Sequence, residues 1–115
     1  MHELSICYQL AKTVEEIKKE QHLTDVDTIV LEIGEMSDIL PDFLSECWLV
    51  AREQTPLKDT KLSIEIVEPV AKCLDCGKED LVKNINLKCP CGSMNFKIIK
   101  GKEFLIKEII AKKFP

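Results

Sequence analysis

The sequence predicts an α+β fold: two helices packed on a three-stranded mixed sheet, with an inserted zinc-ribbon-like module. Three observations predict it. Two segments repeat apolar residues at three- and four-residue steps, three short segments are rich in apolar and β-branched residues, and four cysteines cluster between the last two of these. At 115 residues the chain is one ordinary domain, or one small domain carrying a mini-module. An apolar share of 45% suffices to bury a core.

The first element is an amphipathic helix over about residues 3–21. Leu4, Cys7, Leu10, Ala11, Val14 and Ile17 mark its apolar face, and Glu15, Glu16, Lys18, Lys19 and Glu20 its wet side. Residues 28–33 form a buried strand closed by Gly34. Pro41 suits the first turn of a second helix, whose apolar face is Phe43, Leu44, Cys47, Trp48 and Ala51. Pro56 ends it. Residues 61–67 alternate as a half-buried strand stopped by Pro69, and residues 104–110 form the third strand. Helices on one face of a sheet are the simplest two-layer solution for this order. The second helix, as a crossover, makes the first two strands parallel, and the insert makes the last two antiparallel neighbours. The expected division is an α/β domain of residues 1–69 and 97–115 and a zinc-binding module of residues 70–96.

Net charge is −4 and the pI about 5.2, which argues against bulk binding to nucleic acid. Lys97, Lys100, Lys102, Lys107, Lys112 and Lys113 form a local basic run, read first as the solvated side of a strand. No apolar run approaches the ~18 residues of a membrane span, and the amino terminus lacks a signal-like block. A cytoplasmic protein without membrane or nucleic-acid partners is expected, as a monomer or weak homodimer. Nothing resembles a nucleophile with its base, a phosphate loop or a hydrolytic carboxylate pair, so no enzyme is expected.

Six cysteines are many for a cytosolic chain, where clustered thiols point to metal or redox chemistry. Cys73, Cys76, Cys89 and Cys91 have the soft ligand set that zinc takes in closed structural sites, and Gly77 and Gly92 relax the backbone beside each pair. A single residue, Pro90, separates the second pair. That narrow bite leaves Asp75 or a water open as a substitute fourth ligand. A thioredoxin-like role for Cys73 and Cys76 is disfavoured, because that motif belongs at a strand-to-helix junction. Cys7 and Cys47 occupy apolar helical positions and read as core thiols.

His2 stands next to the chain end. The amine of Met1, the amide of His2 and its imidazole are able to form fused chelate rings that suit square-planar Ni(II) or Cu(II). The residues alone leave nickel, copper and a merely solvated histidine all open. His22 follows the first helix and reads as a surface or cap residue.

Taken together, Met1-His2-Glu3, Ile33-Gly34-Glu35, the paired cysteines, Cys89-Pro90-Cys91-Gly92-Ser93 and the stretch from Gly101 to Ile109 resemble the HypA family of hydrogenase nickel-incorporation metallochaperones. The resemblance spans nearly the whole chain. It implies Ni(II) as transferred cargo, with His2 as its ligand and Glu3 its neighbour in function. It implies structural Zn(II) on the four clustered cysteines. It implies a nickel-handling maturation GTPase and the [NiFe]-hydrogenase large subunit as partners. Asp38 and Asp42 are the candidates for the acidic residue that the family places after the Gly-Glu turn. Two other functions compete with this reading: a zinc-ribbon adaptor without nickel transfer, and a thiol oxidoreductase using Cys73 and Cys76.

Overall fold

The structure, a computed structural model, describes residues 2–85 and 88–112. Met1, an expected nickel ligand, and Lys113 of the basic run lie outside the described residues. The chain divides into two compact units, Met1–Leu31, Asp38–Glu65 and Leu105–Pro115 forming one, and Glu32–Ser37 and Ile66–Phe104 the other.

In the first unit, α1 (Glu3–Glu20) buries Glu3, Cys7, Leu10, Ala11 and Val14. Leu4 stays exposed, and Glu3 takes a buried place that apolar spacing does not reveal. The helix stops in a left-handed turn. His22 has φ 55°, its N–H donates to Lys19 O, and Leu23 N–H donates to Lys18 O at 2.9 Å. This satisfies two carbonyls at the helix end, and His22 is an exposed cap residue.

β1 (Val26–Gly34) follows and buries Val26, Ile29, Val30, Leu31 and Ile33. α2 (Pro41–Ala51) starts with proline in its first turn and buries Leu44, Cys47, Trp48 and Ala51, while Phe43 points to solvent. The indole of Trp48 donates to Thr60 O at 2.9 Å and Arg52 Nη1 donates to the same carbonyl at 2.6 Å. These bonds fix α2 to the chain entering β2 (Lys61–Val67).

β1 is the central strand of its sheet, between β2 and β6 (Phe104–Ala111). The strand after the insert therefore pairs with β1, and the expected pairing of the last two strands does not form. The reason is burial. β1 is the most buried of the three strands, whereas β2 and β6 carry no fully buried residue and suit the edges. Thr60 Oγ1 donates to Val26 O near the strand starts, and Glu35 N–H donates to Val67 O near the ends, so β1 and β2 run parallel. Lys112 N–H donates to Asp25 O and Gly34 N–H to Glu103 O, so β6 runs antiparallel. The sheet is mixed, as expected.

The second unit builds its own antiparallel sheet, with β3 (Val70–Cys73) between β4 (Glu79–Leu81) and β5 (Phe96–Lys100). A 3-10 turn at Val82–Asn84 follows β4. Close backbone packing marks the start of this unit. Met36 N–H donates to Gly101 O at 2.7 Å, and a Cβ on Gly34 would run into the Gly101 backbone. Gly101 itself has φ 116° and abuts Pro69.

Candidate metal centre

β3 ends on Cys73, whose N–H donates to Lys78 O at 2.8 Å across the turn to β4. Inside that turn Gly77, at φ 78°, donates to Cys73 O at 2.9 Å. The second knuckle repeats the device. Cys89 N–H donates to Ser93 O and Gly92, at φ 95°, donates to Cys89 O, both at 2.8 Å. Each glycine takes a left-handed conformation that folds a cysteine pair back on itself.

The four sulfurs of Cys73, Cys76, Cys89 and Cys91 lie within 4.8 Å of one another. Cys73 Sγ is 3.6 Å from Cys91 Sγ, and Cys76 Sγ is 3.5 Å from Cys89 Sγ. Sulfurs at about 2.3 Å from a common tetrahedral ion stand about 3.8 Å apart. The separations fit that arrangement and are far too long for disulfides of about 2 Å. The one-residue spacing around Pro90 thus still lets both sulfurs of its pair converge with the other two. Asp75 is engaged by the second knuckle. Its Oδ2 accepts from Ser93 Oγ and from Asn95 Nδ2, so it ties the first knuckle to the second.

Backbone donors prepare the thiolates. The N–H of Cys76, then that of Asp75, pull the Cys73 thiol down to about 6 despite its burial. Lys78 N–H serves Cys76 and Ser93 N–H serves Cys91 in the same way, but the crowding of neighbouring thiols outweighs them. Cys76 is raised and Cys91 is pushed up to about 12. Without a cation, four sulfurs this close cannot all ionise, so binding of a divalent ion releases protons. Cys7 differs. Burial pushes its thiol up to about 12, and it donates to Leu44 O at 3.5 Å, so it stays a neutral core thiol. Cys47 is buried as well.

The second candidate site is at the start of α1. His2 is exposed in the N-cap position, where its carbonyl accepts from Ile6 N–H at 2.9 Å. Glu3 turns inward. Its Oε2 accepts from Leu40 N–H at 3.1 Å, which joins the start of α1 to the start of α2. That bond, above all, holds the Glu3 carboxyl below its ordinary value. Its Oε1 is buried and has no hydrogen-bond partner among the described residues. Asp38 and Asp42 flank Leu40 in sequence and are both exposed.

The family described as "Hydrogenase/urease nickel incorporation, metallochaperone, hypA" matches residues 1–111. The hydrogenase maturation factor HypA of Aquifex aeolicus is 34% identical over 110 residues, covering 95% of this chain and 96% of its own. That of Methanococcus vannielii is 38% identical over 119 residues and covers 96% of each. The solution structure of the Ni metallochaperone HypA from Helicobacter pylori superposes with a TM-score of 0.71 at 25% identity, over 96% of this chain and 97% of that one. A second solution structure of a HypA protein gives 0.79 at 25% identity and 97% coverage of both.

Proposed function

Since the chain belongs to the HypA family, the nickel metallochaperones of hydrogenase maturation, we propose that its amino terminus carries Ni(II) and its four-cysteine cluster a structural Zn(II). The zinc reading rests on the four convergent sulfurs, a closed set of soft ligands with no position left for a substrate. The nickel reading assigns the cargo to His2, with Glu3 beside it and the amine of Met1 completing fused chelate rings. The observation that carries it is the Glu3 oxygen, buried, negative and without a partner among the described residues, next in the chain to an exposed imidazole. A buried carboxylate oxygen without a donor is costly unless a cation or proton reaches it. Asp38 and Asp42 remain the acidic candidates near the start of α2.

In this reading the protein is a carrier and not an enzyme. It acts in the cytoplasm with a nickel-handling GTPase and delivers to the [NiFe]-hydrogenase large subunit. The unit that contains α1 and α2 serves the nickel, and the unit of Glu32–Ser37 and Ile66–Phe104 holds the zinc. A carrier site has to release its ion, which agrees with an exposed ligand at a chain end.

The test is metal analysis of the untagged protein before and after nickel loading, beside His2→Ala and a histidine-free extension ahead of Met1. We expect one zinc in every form, and strong loss of nickel in both altered forms. An extended protein that binds nickel with unchanged affinity and spectrum overturns the chelate through the Met1 amine. A His2→Ala protein that does so overturns the assignment of the cargo.

A further inference from the structure

We propose that the outer flank of the α1/α2 pair is the docking face for the nickel-accepting protein, which meets it with an apolar patch rimmed by lysine and arginine. The proposal rests on the reading that nickel is carried at the start of α1.

Four large apolar side chains there are left in water. Leu4 is 40% exposed, Tyr8 52%, Leu40 52% and Phe43 50%. Their placement follows from the seam between the helices. Glu3 meets Leu40 and, one turn on, Cys7 meets Leu44, so the helices start together and run the same way. Leu4 and Tyr8 each follow a seam residue of α1. Phe43 precedes Leu44, and Leu40 lies one turn before it. At about 100° per residue on parallel helices, all four fall on the same side of the seam. Grouped apolar exposure of this kind marks interaction sites more than scattered single residues do.

Charge names the occupant. The exposed Lys12 stands one turn beyond Tyr8, and otherwise no lysine or arginine occurs in residues 1–17 or 20–51. The exposed charges on the segment that begins α2 are Asp38, Asp42 and Glu46, all acidic. Two copies of this chain would bring acid against acid, so self-association on this face is disfavoured. A partner with a basic rim is favoured. Its contact has a chemical purpose. Passing a metal between proteins without releasing it to water requires the acceptor's ligands within bonding reach of the donor's. The acceptor therefore has to cover the surface around His2 and Glu3, and this flank adjoins it: Leu4 follows Glu3 in the chain, and Leu40 N–H donates to the Glu3 carboxylate.

The test uses purified nickel-free precursor of the [NiFe]-hydrogenase large subunit from the same source. The full chain is compared with Tyr8→Ala/Phe43→Ala, with Glu46→Lys, and with Leu74→Ala/Met94→Ala, which removes exposed apolar groups of the second unit. Nickel affinity and zinc content are measured first, then affinity for the precursor and, separately, for the maturation GTPase, with and without nickel. We expect all variants to keep wild-type nickel and zinc. Tyr8→Ala/Phe43→Ala should lose at least about tenfold in precursor affinity. Glu46→Lys should lose severalfold and show a weaker salt dependence, and the second-unit pair should bind normally. Undiminished precursor binding by Tyr8→Ala/Phe43→Ala, equal loss in the second-unit pair, or no binding by the wild type overturns the docking face. Loss confined to the maturation GTPase also overturns it, since a different protein then occupies the flank. A wild type that binds precursor but no nickel leaves the docking face standing and removes the carrier reading instead.

Discussion

Glu3 joins two helices through one hydrogen bond and keeps one oxygen without a partner among the described residues. Its carboxyl ionises below its unfolded value of 4.5, chiefly because Leu40 N–H donates to it. A depressed carboxylate stabilises the fold at pH above the unfolded value. That contribution fades as pH falls through the lowered native value. Glu3→Gln retains an acceptor for Leu40 N–H but removes the charge. We expect urea midpoints of Glu3→Gln and wild type to converge as pH is taken from 6 to below about 4, and a pH-independent gap would sink the linkage. Asp75 makes a comparable bond between the two zinc knuckles, through Ser93 and Asn95. Groups that orient metal ligands are worth about 10- to 100-fold in affinity. Asp75→Ala should lower zinc affinity by that order in competition with a chromogenic chelator, and an unchanged constant would show the bond to be incidental. Both roles were hidden in the sequence for one reason. An acid's partners are set by what folds against it, and neither Leu40 nor Ser93 is near its acid in the chain.

At the scale of elements, both helices and the strands of the first sheet lie where spacing puts them, because periodicity and proline are local signals. Leu4 and Phe43 break their helical patterns by facing solvent, which a pattern of hydrophobicity cannot announce. Pairing was less legible. The strands at 61–67 and 104–110 were expected side by side, but β1 separates them, since hydrogen-bond partners are chosen by burial and not by order along the chain. The small strands β3, β4 and β5 were unreadable as a sheet, being three to five residues long and poor in apolar alternation. Gly34 is the position where an element depends most on a single atom. An added methyl would collide with Gly101 backbone, which cannot move without displacing Pro69 and the bond from Met36. We expect Gly34→Ala to cost about 3 kcal/mol or more in chemical denaturation. A loss below about 0.5 kcal/mol, the range of ordinary surface changes, would mean the strands part easily there.

Over the whole molecule, two sources of stability are at work. The first unit buries Trp48, Ile29, Leu31, Leu44 and Leu57. Among the described residues of the second unit outside β1, the buried apolar residues are Ala71, Cys73 and Cys89, so four sulfurs and an ion stand in for a core. Removing the metal with a strong chelator, or mutating Cys73→Ala, should speed hydrogen exchange across residues 70–84 and 88–100. Amides of α1 and α2 should stay protected. Protection that falls equally in both sets would show a single cooperative unit. The sequence by itself determined the helices, the mixed α+β class and the clustering of four cysteines, because periodicity, turn residues and ligand spacing act over a few neighbouring positions, while the family followed from resemblance. Only the tertiary structure decided that β1 is central, that the Cys89–Cys91 pair closes the cluster, that Asp75 braces it, and that Glu3 is buried against Leu40. Each of these depends on residues far apart in the chain being brought within a few ångströms, and on the burial that then selects their partners.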